Sequence, residues 1–243
     1  MTRFGLIGYP LSHSFSRKYF TEKFEKEGLT DHIYDLFPIP SIEELPNVLA
    51  GNKDLAGLNV TIPYKQQVIR FLNDSNIPAG VEACNCIKIE NGKLTGNNTD
   101  IIGFEKSFKI LLKPHHKKAL VLGNGGATAA VIYVLKKLGI DFGIVSRKIR
   151  EGSTLTYGDL TEKIVRENLV IINTTPLGTF PDLNNSPPIP YGAITTDHYL
   201  FDLIYNPEKT LFLKKGEEKG ATVKNGYEML VIQAEESWKI WNS

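Results

Sequence analysis

Ala119-Leu120-Val121-Leu122-Gly123-Asn124-Gly125-Gly126-Ala127 is the stretch that decides the fold. Four consecutive apolar residues suit a strand buried on both faces, the pattern of a parallel sheet covered by helices. The glycines that follow end that strand and open a helix running to Leu138. Strand, glycine turn and helix in this order are the setting of a dinucleotide fingerprint. Gly123 permits the tight turn, Gly125 lets the backbone approach a pyrophosphate, and the helix N-terminus offers N–H groups to phosphate. Thr128 stands at the third glycine position, although Ala127, Ala129 and Ala130 keep the packing small. A tight strand–helix turn without a ligand fits the same residues.

The next strand, Phe142 to Val145, leads into Ser146-Arg147-Lys148, with Arg150 close behind. A unit that binds NAD usually carries an acid here for the ribose 2′-hydroxyl. Cations stand in its place, and Arg147 has the planar fork that grips a 2′-phosphate. That composition points to NADPH, the alternative being a solvated basic turn.

Working outward, Phe4–Gly8 reads as a strand, and Phe15–Gly28 as a helix with Phe20 and Phe24 on one face. His32–Ile39 is strand-like, Ile42–Ala50 helical and Leu55–Thr61 a strand. Pro63 opens a helix carrying Lys65, Val68, Ile69 and Leu72. Asn91-Gly92 marks a hairpin between Cys86–Ile89 and Lys93–Leu94. Further apolar strands span Leu169–Asn173 and Tyr199–Ile204, and the Pro- and Asn-rich 181–190 segment reads as an exposed loop. A last helix follows Asn225-Gly226. The alternation predicts an α/β fold with parallel sheets, in two lobes.

The 243 residues are enough for two modest α/β domains, and a net charge of +1 leaves no broad basic face for nucleic acid or an anionic membrane. The sequence enters its first strand without a signal peptide, and no apolar run reaches the roughly 20 residues of a membrane span. Cys84 and Cys86 lack C-x-x-C metal spacing and read as free thiols of a reducing cytoplasm, so no metal is expected.

Two residues suggest proton transfer. Lys65 follows Asn59-Val60-Thr61-Ile62-Pro63-Tyr64, in the expected first turn of a helix, where a cation is electrostatically disfavoured. Asp100 ends the polar junction Gly96-Asn97-Asn98-Thr99. Brought together, the carboxylate orients the amine, and the amine donates to an oxygen gaining charge. Alone, Lys65 is an ordinary surface cation and Asp100 an ordinary N-cap. The hydroxyls of Ser12-His13-Ser14-Phe15-Ser16 serve equally as helix caps or as neutral donors to a carboxylate, and His13 has no orienting partner in the sequence.

These motifs, in this order, resemble the shikimate dehydrogenase family along essentially the whole chain. Gly8-Tyr9-Pro10-Leu11-Ser12-His13-Ser14-Phe15-Ser16 is similar to the family's G-N-P-x-x-H-S-x-S, and Asn59–Lys65 to N-V-T-x-P-x-K. Ala83–Cys86 is similar to A-V-N-T, Asn98–Asp100 to N-T-D, and Gly123–Ala127 to G-x-G-G-A. Ser146–Lys148 stands for N-R-T, Asn173–Gly178 for N-x-T-x-x-G and Asp202–Pro207 for D-x-x-Y-x-P, with Gln233-Ala234 closing the series.

The resemblance implies two α/β domains: a substrate domain of residues 1–101 plus 226–243, to which the C-terminal helix returns, and a Rossmann-like NADP-binding domain of residues 102–225. It implies an oxidoreductase of aromatic amino-acid biosynthesis that reversibly reduces 3-dehydroshikimate to shikimate in the cytoplasm, as a monomer or homodimer. Lys65 and Asp100 become the catalytic pair. Ser14, Ser16, Thr61, Asn85, Tyr205 and Gln233 would contact substrate. Gly123, Asn124, Gly125, Gly126, Ala127, Ser146, Arg147, Lys148, Thr174, Leu203 and Gly226 would hold NADP(H), the last two through backbone atoms. Tyr9, Arg17, Ile101 and Tyr227-Glu228 depart from the family pattern. Two alternatives compete: a quinate/shikimate dehydrogenase that also accepts NAD, and a non-catalytic NADP-binding module on the same fold.

Overall fold

A computed structural model describes residues 1–11, 15–149 and 152–243. Within these the chain divides into two compact units, Met1–Thr99 with Gln233–Ser243, and Asp100–Ile232. Each contains a six-stranded sheet among the described residues.

In the first unit β1 (Thr2–Gly8), α1 (Phe15–Lys26), β2 (His32–Pro38), α2 (Leu45–Gly51) and β3 (Leu55–Val60) precede three shorter strands: β4 (Asp74–Ser75), β5 (Cys86–Glu90) and β6 (Lys93–Asn97). The strand order is β2-β1-β3-β5-β6-β4. β1 pairs in parallel with β2 and β3, whereas β5 is antiparallel to both β3 and β6. The sheet is therefore mixed rather than parallel. The two-residue Asn91-Gly92 turn, with φ of 52° and 76°, folds β6 back beside β5 as its hairpin signal requires. On α1, Phe20 and Phe24 are buried one turn apart and pack against Phe4 and Trp241.

The segment after Pro63 departs from expectation. It forms a 3₁₀ helix at Gln67–Phe71 instead of an α-helix through Lys65. The Lys65 carbonyl accepts the Cys84 N–H at 2.7 Å, and the Ile69 N–H bonds Gln66. The i to i+4 bond that an α-helix needs at Lys65 is thus replaced by a long-range one. Lys65 sits in a turn, and the helix-dipole argument for its significance falls away.

The second unit begins with α3 (Asp100–Lys109), followed by β7 (Lys118–Leu122), α4 (Thr128–Lys137), β8 (Asp141–Ser146), β9 (Leu155–Thr156), α5 (Glu162–Glu167), β10 (Val170–Asn173), β11 (Tyr199–Asp202), α6 (Leu211–Glu217) and β12 (Thr222–Lys224). All pairings are parallel, in the order β12-β11-β10-β7-β8-β9. Counted from β7, that is the doubly wound order 3-2-1-4-5-6, whose reversal lies between β7 and β10. Ligands of such sheets bind outside the carboxyl ends of the strands at the reversal. Ala119–Leu122 and all of β10 and β11 are buried, which accounts for their unbroken apolar runs. In the 181–190 loop Pro187 and Ile189 are buried, so only part of it is exposed. The last helix, α7 (Tyr227–Trp241), has its first residues in the second unit and Gln233 onward in the first. No helix among the described residues is long and apolar enough to cross a membrane.

Candidate active site

The second unit holds a pocket of about 570 Å³ at the reversal of its sheet, lined by Gly123–Gly125, Ser146–Lys148, Tyr157 and Thr174–Leu177. That size is ordinary for a small-molecule site. Gly123 has φ +112°, a region L side chains rarely adopt, and a Cβ there would lie 2.6 Å from Thr174 Oγ1. A Cβ on Gly125 would meet nothing within 4 Å, so this glycine leaves its backbone open to a ligand.

Thr128 closes the turn. Its hydroxyl accepts the Gly125 N–H at 3.0 Å and lies 2.9 Å from Thr174 Oγ1. Since Thr174 Oγ1 donates to the Leu122 carbonyl at 2.8 Å, Thr128 is the donor in the pair. The residue at the third glycine position therefore ties the turn after β7 to the loop after β10.

Arg147 and Lys148 are exposed at the carboxyl end of β8, and the Ser146 hydroxyl donates back to the Lys148 carbonyl. Two cations beside an open glycine turn at a helix start suit a phosphorylated dinucleotide. Arg150 lies outside the described residues. Leu203 and Gly226 meet each other: a Cβ on Gly226 would stand 2.1 Å from the Leu203 carbonyl oxygen. Tyr205 is half-buried, and burial raises its phenol pKa. Asp100 is the buried first residue of α3.

Behind these loops, Asp202 is fully buried and accepts from Asn173 Nδ2 at 3.0 Å, Ile204 N at 3.1 Å and Thr210 Oγ1 at 2.6 Å. Burial pushes its carboxyl up to about 7, against the pull of those donors.

In the first unit a buried polar cluster gathers three of the sequence-predicted substrate residues. The Ser16 side chain lies beside the Tyr34 phenol, which donates to Asn59 Oδ1 at 2.8 Å. Asn59 Nδ2 donates to Ser237 Oγ at 3.0 Å. Asn85 accepts the Thr99 N–H at 2.7 Å and donates to the Thr99 hydroxyl at 3.0 Å. Gln233 Oε1 stands 3.5 Å from both Asn85 Nδ2 and Thr99 Oγ1, the outer limit of a bond. Lys65 is tied beside this cluster through the backbone, its carbonyl receiving the N–H of Cys84, next to Asn85, while the Thr61 N–H bonds the Ile7 carbonyl. Ser14 and His13 lie outside the described residues. Lys65 falls in the first unit, Asp100 and Tyr205 in the second.

The sequence did not single out Tyr34, Ser237 or Tyr157, whereas Thr175–Leu177 fall within the Asn173–Gly178 motif of the resemblance. A buried tyrosine bonded to an asparagine across 25 residues carries no local signal. No group of three or more potential metal ligands occurs among the described residues.

Residues 6–87 match the profile described as the shikimate dehydrogenase substrate binding domain. The NADP(+) shikimate dehydrogenase of Methanococcus maripaludis strain C7 is 38% identical over 260 residues, covering 98% of this chain and 90% of that protein. The crystal structure of shikimate dehydrogenase from Aquifex aeolicus superposes with a TM-score of 0.87 at 36% identity, covering 100% of this chain and 92% of the other. That of the Thermus thermophilus enzyme, in complex with NADP(H) and shikimate, gives 0.86 at 29% identity, covering 99% and 93%.

Proposed function

The chain belongs to the shikimate dehydrogenase family, and on that footing we propose that it catalyses the reversible NADPH-dependent reduction of 3-dehydroshikimate to shikimate. The observation that carries the cofactor half is the pocket at the sheet reversal, where an open glycine turn faces the Arg147–Lys148 cations. The first unit is the substrate domain and the second the NADP-binding domain.

When bound, the dinucleotide supplies the hydride. Backbone N–H groups around Gly123–Ala127 hold its pyrophosphate, and Arg147 with Lys148 neutralises the 2′-phosphate, with Ser146 and Asn124 beside them. Thr174, Leu203 and Gly226 line the nicotinamide end. The chain's own chemistry is a proton. Lys65 gives one to the ketone oxygen as negative charge develops there, and Asp100 orients the lysine ammonium. Ser14 and Ser16 take the substrate carboxylate, while Thr61, Asn85, Tyr205 and Gln233 fix the ring. The buried bonds of Asn85 and Gln233 support this, because side chains held by neighbours present their remaining groups in a fixed orientation.

The free, buried cysteines fit a reducing cytoplasm, and a monomer or homodimer is the expected assembly. One assay tests the reading: NADP reduction with shikimate and with quinate, each repeated with NAD. Turnover with shikimate and NADP that falls at least ~1,000-fold in Lys65→Ala, with NADPH affinity within about threefold, agrees with it. Near-normal kcat in that variant removes the lysine assignment. NADPH binding with no shikimate turnover leaves a non-catalytic module.

A further inference from the structure

We propose that Ser237 is a positioning residue of the substrate subsite in the first unit, its buried hydroxyl fixing where Gln233 presents its amide. The inference rests on the reading that Gln233 and Asn85 contact the substrate ring.

Gln233 begins the part of α7 that belongs to the first unit, and Ser237 follows one turn later on the same face. Serine is a poorer helix former than alanine, and an alanine would fill a closed setting without a polar group to satisfy. The Ser237 side chain is nevertheless fully buried. Its hydroxyl donates to the Gln233 carbonyl at 2.9 Å, which commits its one proton. It therefore acts as acceptor toward Asn59 Nδ2 at 3.0 Å and toward the Thr99 hydroxyl at 3.3 Å. The bond to Gln233 alone would be an ordinary serine bond inside a helix. The bond from Asn59 is what fastens this turn of α7 to β3.

Asn59 is itself held. Its Oδ1 takes the buried Tyr34 phenol at 2.8 Å, and its Nδ2 also reaches the Asn85 carbonyl at 3.3 Å. One amide thus grips the backbone of Asn85 directly and that of Gln233 through Ser237. Two residues 148 positions apart in the chain share one buried frame. Their side chains do little to hold each other, because Gln233 Oε1 and Asn85 Nδ2 are 3.5 Å apart, the outer limit of a bond. Their relative placement therefore comes from the frame behind them. Two donors set against one ring gain most when their spacing is fixed before the ring arrives.

Ser237→Ala tests this in the full chain, and the better helix propensity of alanine favours a folded variant. The KM for shikimate should rise about three- to tenfold, the equivalent of one hydrogen bond, with kcat within about twofold. NADP affinity, read by calorimetry, should not change. Gln233→Ala supplies the second background. There Ser237→Ala should raise KM no further, since the side chain being positioned is gone. A KM in Ser237→Ala equal to that of the unaltered chain overturns the inference. So does an equal rise in the Gln233→Ala background, which marks a general loosening of the first unit. Absence of shikimate turnover by the unaltered chain overturns the functional reading and this inference with it.

Discussion

Asn173 Nδ2 donates to Asp202 Oδ1 at 3.0 Å, tying together two residues that sit opposite each other at the carboxyl ends of β10 and β11. The same Asn173 accepts from the Thr175 N–H at 3.0 Å and the Thr175 hydroxyl at 2.7 Å. Asp202 meanwhile accepts the Ile204 N–H. One buried pair therefore shapes both the pocket wall and the Leu203–Tyr205 loop.

Removing the carboxyl strands three buried donors at once. Asp202→Ala should lose at least ~3 kcal/mol in urea denaturation. The folded-state pKa of about 7 lies above the ordinary value of 3.8, so the native state binds the extra proton between them. This contribution is full below about 4 and declines as pH rises through 7. The stability advantage of the parent over Asp202→Asn should accordingly shrink from pH 5 to pH 8; an advantage that grows over that range contradicts the assignment.

His116 and His198 work in the opposite sense. The His116 Nδ1 accepts the Lys113 N–H at 2.9 Å, and the His198 Nδ1 accepts the Thr195 N–H at 3.0 Å. Their Nε2 atoms each reach a backbone carbonyl at 3.0 Å, Asp197 and Val165 respectively, which fixes both rings as neutral. Burial lowers both pKa values from 6.5. The unfolded chain takes up protons first, so this stability is full above about 6.5 and falls as pH drops below it. The stability advantage of the parent over His198→Asn should therefore shrink between pH 7 and pH 5. An advantage that stays constant over that range would show that His198 is not the titrating group.

Thr128→Val keeps the shape and deletes the hydroxyl that closes the glycine turn. We expect NADPH affinity to fall about five- to tenfold and stability by ~1 kcal/mol, with Thr128→Ser close to the parent. Calorimetry and thermal melting read the two effects separately. Unchanged NADPH affinity would mean that the turn is held without this bond.

Gly226→Ala places a methyl against the Leu203 carbonyl, where backbone must move. Overpacking of this kind costs about 1–3 kcal/mol, and displacement of Leu203 should lower kcat with NADPH. A melting temperature within about 1–2 °C of the parent, on the scale that 1 kcal/mol sets, would show that the loop yields freely.

Much of this arrangement was legible. Unbroken apolar runs announced β7, β10 and β11 because central parallel strands are buried on both faces, and the spacing of Phe20 and Phe24 announced α1. The glycine turn and the Arg147–Lys148 cations are local features and fell in one pocket. What stayed hidden depends on distant partners. The turn at Lys65 is made by Cys84, and Asn59 is fixed by Ser237, 178 residues away. Tyr157 was hidden for a different reason: a two-residue strand such as β9 has no periodicity to detect, yet its register sets the ring beside Arg147.

Helix α7 carries one more consequence. Trp241 stacks on Phe4 with ring centroids 4.8 Å apart and donates through Nε1 to the Ile87 carbonyl at 3.0 Å, while Trp238 abuts Phe24. A ribosome makes residues in order, so Phe4, Phe20 and Phe24 are synthesised more than 200 residues before their aromatic cover. The first unit thus finishes its core only after the second unit has been made. During translation it carries an open aromatic face, the kind of surface chaperones recognise. Loss of the final helix should leave the second unit's sheet intact and the first unit prone to aggregation.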